Sequence, residues 1–330
     1  MSQLGATNTN TNTNTNTNTN TNTNTSTSGG IGGGVRFNSQ EFPKLLTDRY
    51  PTALPPQATQ AQTEVWDATQ KFVNETDFRQ WWDAELRSSV YLNEFIVKNP
   101  NWMQICVDKL AGMHQALHER KAQELADVLG MSDEREPRFV EIIDQHEAEG
   151  VIKYLTGMLM IDASSTPATY ALVRVGRRIG EIVVMCLKDY FHEPRPSQVC
   201  PAIVPMLDPP ITPSFPAGHA LQSFLMVKLV AEARRPAKAP DTRVQPEMLE
   251  YLAQRIAENR TVAGLHYLAD NRAGAAAADI IFKMLMNTEE GRKCHQFHQL
   301  MELARGEHRT RVLPVEKDEK NRIKIPTPGR

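Results

Sequence analysis

Apolar residues recur every three to four positions through most of the chain from Thr63 onward, and no stretch alternates apolar with polar as a half-buried strand would. Val65, Trp66, Thr69 and Phe72 predict a first helix, and Asp77 can cap a second that runs through Trp81, Trp82 and Leu86. Asn101 starts a third, with Ile105, Val107, Leu110, Met113 and Leu117 near one face, running on toward Leu129 with Gly130 as its stop. Pro137 to Ile161 reads as one or two more. Ser165-Thr166-Pro167 is a strong start signal, a hydroxyl before a proline at the first helical position. The helix it opens, Ala168 to about Phe191, repeats Leu172, Val175, Ile179, Val183 and Leu187, and Pro194 and Pro196 stop it.

The stretch from Pro196 to Pro216 carries seven prolines and is expected to be irregular. Ala217 to Ala233 and the amphipathic Pro246 to Glu258 read as helices, separated by a polar turn through Asp241. After a break at Gly264, Asp270 can cap an alanine-rich helix, Ala273 to Met286, whose small residues suit close helix packing. The expected fold class is all-α, a helical bundle with a disordered N-terminal tail.

Composition sharpens the two ends. Thr7 to Thr25 alternates Thr and Asn, and Ser26 to Gly34 is Ser- and Gly-rich. Such segments bury too little apolar surface to offset the entropy of ordering. The organisation expected is therefore a disordered tail over 1–40, a helical region over 41–162 that packs on the core, a core over 163–290, and a polar tail over 291–330. An extended arm is expected over Glu41 to Pro56. Trp66, Trp81, Trp82 and Trp102 are expected to pack over the core, with an oligomer surface as the alternative for this region.

A net charge of -2 with 40% hydrophobic and 23% charged residues suits a globular protein and gives no global attraction to nucleic acid or anionic membrane. Met1 to Ala6 has neither a basic start nor an apolar run, so no secretory signal is read there. Ile179 to Leu187 and Ala220 to Ala233 are too short, or interrupted by Glu181 and Lys228, to span a membrane. Cys106, Cys186, Cys200 and Cys294 form no C-x-x-C pair and no disulfide framework. A reduced, cytoplasmic setting is the expectation.

Three short stretches carry chemistry. Lys188 to Pro196 ends a helix with a lysine and an arginine. Pro213 to His219 is a turn leading into a helix. Asn259 to Asp270 holds Arg260, His266 and Asp270. Two arginines and a lysine can neutralise an oxyanion, with arginine offering a planar fork. Gly218 at a helix N-terminus can bring its N–H close to an anion. His219 and His266 titrate near neutrality, and Asp270, four residues after His266, can fix the imidazole and leave its other nitrogen free to attack.

Together these stretches resemble the signature of the type-2 phosphatidic acid phosphatase and vanadium haloperoxidase superfamily, K-x6-R-P, then P-S-G-H, then S-R-x5-H-x3-D. The matches are Lys188, Arg195, Pro196, Pro216, Gly218, His219, Arg260, His266 and Asp270, over roughly residues 166 to 287. The resemblance implies a helical bundle of that type. It implies that Lys188, Arg195, Arg260 and the Gly218 N–H bind the oxyanion. In the phosphatases the His266 equivalent attacks phosphorus, the His219 equivalent protonates the leaving alcohol, and the Asp270 equivalent holds the nucleophile. In the haloperoxidases the His266 equivalent ligates vanadate, and the partners become halide and hydrogen peroxide.

The first expectation is thus a soluble phosphomonoesterase acting on a small phosphorylated substrate without a cofactor. The second is a vanadate-dependent haloperoxidase, and the third a non-catalytic phosphate sensor. Two residues depart from the signature. Ala217 stands where Ser is usual, removing a hydroxyl donor, with Ser214 as a conceivable substitute, and Asn259 replaces the Ser before Arg260. Other histidines are read as structural. His192 is assigned to the surface. His114 and His118, spaced i, i+4, would suit a metal, but no acidic residue stands at matching spacing, so they are assigned to a solvated or half-buried face. Cys294, His295 and His298 lack a fourth ligand and are treated the same way.

Overall fold

The computed structural model describes residues 59–60, 63–64, 83–146, 149–235 and 246–309. The chain divides into two compact units after Asp77, and all but four of the described residues lie in the second. The expected tail over 1–40, the arm over 41–56, the Val65–Phe72 helix, the Asp77 cap, Trp66, Trp81, Trp82 and the turn through Asp241 fall outside the described residues.

Among the described residues every regular element is helical and no strand occurs. In chain order the helices are α1 (Ala84–Lys98), α2 (Trp102–Glu119), α3 (Lys121–Gly130), α4 (Phe139–His146), α5 (Gly150–Leu159), α6 (Pro167–Phe191), a single turn α7 (Pro196–Val199), α8 (Gly218–Ala233), α9 (Pro246–Val262), α10 (Leu268–Leu285) and α11 (His295–Arg309). A 3-10 turn, Met131–Glu134, joins α3 to the segment before α4.

The centre of the bundle is α8. Ala220, Leu221, Ser223, Leu225, Met226, Val227, Leu229, Val230 and Ala233 are all buried, so it is apolar on every side and must be surrounded. Helices α6, α9 and α10 surround it. Small residues set the spacing. A Cβ on Gly176 or Gly180 of α6 would come 3.0 Å from Met226 and Gln222 of α8, and one on Gly274 of α10 would come 2.6 Å from the Ala217 carbonyl. These approaches place the N-terminus of α8 against the C-terminal half of α6 and the start of α10, where the three sequence stretches converge. Fully burying a leucine such as Leu225 contributes roughly 1.5–3 kcal/mol, so this seam holds the site in a stiff frame.

The outer helices are tied in by carboxylates at helix ends. Asp83 caps α1, accepting from the N–H groups of Glu85 at 2.9 Å and Leu86 at 3.2 Å. Glu124 of α3 accepts from the Ala269 N–H at 2.9 Å in the first turn of α10. Thr166 occupies the N-cap of α6 ahead of Pro167, as the start signal predicts, but its hydroxyl turns back to Asp162. The free N–H groups of Ala168 and Thr169 are taken instead by Glu307 of α11, at 2.6 and 2.9 Å.

Within the stretch expected as a polar tail over 291–330, the part up to residue 309 is described, and it is helical from His295. Residues His295–Arg309 form α11, whose Phe297, Leu300, Met301 and Ala304 are buried in the main core. Four apolar residues at helical spacing outweigh a polar composition. Three boundaries also move. The third predicted helix breaks at Arg120 into α2 and α3, α9 continues past Glu258 to Val262, and α10 begins at Leu268 rather than Ala273. Gly264 does form the break between α9 and α10, with φ at +78°, a conformation glycine adopts without strain. The proline-rich stretch is irregular apart from the single turn α7.

Candidate active site

Each signature residue sits at an end of a helix, where the backbone leaves unpaired groups. Lys188 lies in the last turn of α6 and is 3% exposed. Its ammonium donates to the carbonyl of Ser214 at 2.8 Å and to that of Pro213. Arg195 is extended, as a residue before proline must be, and lies buried under the proline-rich stretch. Its guanidinium donates to the carbonyls of Pro210, Thr212 and Leu265, each at 2.9 Å, which clamps that stretch over the site. Arg260, in the last turn of α9, is 0% exposed and donates through Nη2 to the Ile142 carbonyl of α4 at 2.9 Å. Its Nε and Nη1 find no hydrogen-bond partner among the described residues.

All three cations therefore face carbonyl oxygens. None makes an ion pair with a carboxylate among the described residues, although Asp270 lies close enough to Lys188 and Arg195 to favour their charged forms. Burial, followed by the repulsion of Arg195, lowers the Lys188 ammonium to about 7. Burial lowers Arg195 and Arg260 to about 10, so both stay charged at neutral pH.

His266 and Asp270 make the next layer. Asp270 is fully buried in the first turn of α10 and accepts from the Tyr267 N–H at 3.0 Å, which closes that helix start. The same oxygen lies 3.0 Å from Nδ1 of His266, while Nε2 of His266 lies 3.4 Å from Nη1 of Arg195. With Nδ1–H donated to the carboxylate, the lone pair on Nε2 faces the cations. Burial pushes the His266 pKa well below its ordinary value, with Lys188, Arg195 and Arg260 adding to it. Burial raises that of Asp270, opposed by the Ser214 hydroxyl and Lys188.

His219 occupies the first turn of α8, after Gly218. That helix start has no side-chain cap, so its N–H groups remain as donors. Nε2 of His219 donates to the Gln145 carbonyl of α4 at 3.0 Å. Burial and then Arg260 lower its pKa well below the ordinary value. A cavity of about 160 Å³ lies beside it, lined among others by His146, Arg177, Gln222 and Met226, and His219 is the one signature residue in that lining.

Residues 169–293 match the model of the PAP2 superfamily. That segment belongs to the PAP2 superfamily. No curated protein matches the chain. The PAP2 segment contains all seven expected site residues, and membership supports a phosphatase-type phosphoesterase in general terms. Two of the contacts just described come from outside it, since the carbonyls of Ile142 and Gln145 belong to α4.

The departures from the PAP2 signature have distinct outcomes. Ala217 is fully buried, and its N–H is spent on the Asp270 carbonyl at 3.0 Å. Ser214 does not stand in for the missing hydroxyl. Its Oγ lies 3.2 Å from Nδ1 of His266 and donates to Asp270, on the side of the imidazole away from Nε2. Asn259 bonds across the fold and not locally, donating at 3.0 Å to both Glu141 and Gln145 and so fastening α4 to α9. His192 is exposed, as assigned. His298 is bonded to the Asn287 carbonyl at 3.1 Å, and Cys294 is buried.

The sequence reading missed the carbonyls of Ile142 and Gln145 and the cavity residues His146, Arg177 and Gln222. A carbonyl carries no side-chain signal, so no motif could have flagged the first two. The helical spacing of Arg177 with Glu181 reads only as a surface pair.

Proposed function

We propose that the protein hydrolyses a small phosphomonoester through a phosphohistidine on His266. The observation that carries this reading is the pocket's charge. Lys188, Arg195 and Arg260 are buried together against carbonyls, and Arg260 keeps two donor nitrogens without partners. Buried cations without counter-carboxylates are costly, and an oxyanion with several lone pairs is the ligand that offsets the cost. Glycine at 218 supports the same ligand. A Cβ there would meet Val184 at an ordinary 3.5 Å, so the protein's own packing does not demand glycine.

In this mechanism the cations and the first-turn N–H groups of α8 hold the phosphoryl oxygens. The lone pair of His266 Nε2 attacks phosphorus as the ester P–O bond breaks, while Asp270 stabilises the imidazolium that forms. The substrate's negative charge offsets Arg260 and lets His219 take up a proton, which the imidazolium then gives to the leaving oxygen in the place now held by the Gln145 carbonyl. Water then attacks phosphorus, giving its proton to His219, and the P–N bond breaks to release phosphate and His266. The cavity beside His219 supplies room for the leaving group.

Vanadate has the same oxyanion geometry, so Lys188, Arg195, Arg260 and His266 form a donor set that would hold it too. Bound there, it would supply peroxide-dependent halide oxidation.

The test is one matched assay on purified protein stripped of phosphate and metals. Expected are hydrolysis of para-nitrophenyl phosphate, its inhibition by orthovanadate, and an acid-labile phosphate on His266 that is absent from His266→Ala. Peroxide-dependent iodide or bromide oxidation that appears only with vanadate would replace this reading with the haloperoxidase one. Silence in both assays together with tight phosphate binding would leave a phosphate-binding protein.

A further inference from the structure

The sequence offers His114 and His118 on one face of α2 but no acidic partner nearby. The fold supplies one from 75 positions beyond His118. Glu193, in the link between α6 and α7, points its Oε2 at both rings, 2.9 Å from Nε2 of His114 and 3.1 Å from Nε2 of His118. Among the described residues this is the group of three metal-ligating side chains whose ligand atoms all lie within 4.8 Å of one another.

We propose that His114, His118 and Glu193 form a binding site for a divalent transition-metal ion, with zinc the best-suited occupant.

Three features of the cluster carry the proposal. The ligand types are two imidazoles and one carboxylate, a set that suits zinc and its first-row neighbours. The two histidines are one helical turn apart, which brings both Nε2 atoms to the same side of α2. Ligand atoms in a tetrahedral site with bonds of ~2.0 Å stand ~3.3 Å apart, so the 2.9 and 3.1 Å separations need to open by only a few tenths of an ångström around an ion.

The surroundings also fix the ligands in place. Lys121 pairs with Oε1 of Glu193, which leaves Oε2 as the single oxygen turned toward the histidines. A carboxylate ligand held by a second partner in this way is oriented before the ion arrives. The His114 ring is wedged against Phe191 and Phe215, with centroids 4.9 and 5.0 Å away. His118 is 55% exposed, giving an entry path and a fourth position open to water.

The site is separate from the oxyanion pocket in composition, since it contains none of the residues given a role in hydrolysis. It adjoins the pocket through the backbone. The Glu193 carbonyl accepts from the Ser214 N–H at 2.7 Å, and Glu193 stands two residues before Arg195. A bound ion would therefore pin α2 to the segment that sets both Ser214 and Arg195.

The test uses the full-length chain stripped of metal and titrated with Co²⁺ alone, because tetrahedral cobalt absorbs in the visible. One equivalent should give a visible band that Zn²⁺ bleaches. His118→Ala changes a half-exposed side chain and should fold, with helicity matching the wild type. It should weaken binding by at least about tenfold, as should Glu193→Gln. His295→Ala, outside the cluster, should leave the titration unchanged. Absence of any band or stoichiometric binding in the wild type would overturn the proposal. So would wild-type affinity in either His118→Ala or a folded Glu193→Gln variant, since the ion would then sit elsewhere.

Discussion

One helix, α6, carries buried or half-buried cations at both ends, and the two ends treat them oppositely. In its N-terminal half Arg174, Arg177 and Arg178 meet Glu85, Glu149 and Glu181, with Arg177 3.1 Å from Glu85 and Arg178 3.3 Å from Glu181. At its C-terminal end Lys188 meets carbonyls and shares its surroundings with two further cations. Each arginine of the first group is matched by a carboxylate inside the protein. The second group makes no ion pair with a carboxylate among the described residues, and under the proposed function an anion from outside would match it. An ion-pair network answers to stability, whereas an unbalanced cluster answers to a ligand, and the contrast can be broken by experiment at either end.

The largest effect belongs to the proposed nucleophile. His266→Ala removes the attacking nitrogen, and hydrolysis should fall by about a thousandfold or more in kcat/KM. Phosphate should still raise the melting temperature of this variant, because Lys188, Arg195 and Arg260 remain. Loss of both activity and phosphate stabilisation would show that His266 holds the pocket open instead of attacking.

Next in size is the removal of a cation. Arg260→Met deletes a charge with two unpartnered donors. A charge-assisted bond is worth about 1.5–3 kcal/mol, so phosphate affinity by calorimetry should drop roughly ten- to a hundredfold. The melting temperature without phosphate should hold or rise, because a buried unpaired charge is replaced by an apolar side chain. A fall in both would mean the Arg260 bond to Ile142 is needed for folding.

These two variants bear on how far the chain could be read without its structure. The helices and the PAP2 family were legible because both rest on side-chain pattern, in the spacing of Leu172 to Leu187 and in the three stretches around Lys188, His219 and His266. What stayed hidden depends on distant pairing. Glu193 reaches His114 and His118 across the fold, Glu307 caps α6 from α11, and Ile142 and Gln145 act through backbone carbonyls. Ser214 illustrates the same limit. Its distance from Ala217 along the chain suggested a spare donor, but which side of the imidazole it reaches is set by how the proline-rich stretch folds back.

A third effect is protonic. Lys188 is lowered to about 7 in the folded protein, and a phosphate beside it would raise that value. A group whose pKa rises on binding takes up a proton in the window between its two values, so affinity must fall as pH climbs above 7. Between pH 8 and 9 phosphate is already a dianion and Arg195 and Arg260 remain charged, so the change reports Lys188. Phosphate affinity should fall by up to about tenfold over that unit, and calorimetry in buffers of different ionisation enthalpy should show net proton uptake. Equal affinity at both pH values would mean that Lys188 stays fully charged beside Ser214.

A smaller gain is expected from Ala217→Ser, which adds the hydroxyl the PAP2 signature usually has. The site is fully buried next to His219, so a new donor there adds a bond to the oxyanion only if it can face it. A net hydrogen bond of about 1 kcal/mol corresponds to roughly fivefold in kcat/KM for the phosphate ester. An unchanged or lower value would show that Ala217 packs where the hydroxyl cannot turn toward the ligand.

The smallest effect on catalysis should come from the balanced end of α6. Glu85→Gln takes the carboxylate away from Arg174, Arg177 and Arg178 at once but keeps an acceptor oxygen in its place. The glutamate is 22% exposed and the three arginines retain Glu149 and Glu181, so the expected cost is roughly 1 kcal/mol of stability by denaturant melt, larger at low salt. Hydrolysis should stay within about twofold of the wild type, because no residue of the oxyanion pocket loses a partner. Arg177 makes this the sharpest form of the comparison, since it belongs to the network and also lines the cavity beside His219. If Glu85→Gln raised KM while leaving kcat and stability alone, the freed Arg177 would be acting on the substrate, and the division of α6 into a structural and a functional end would move one helical turn toward its N-terminus.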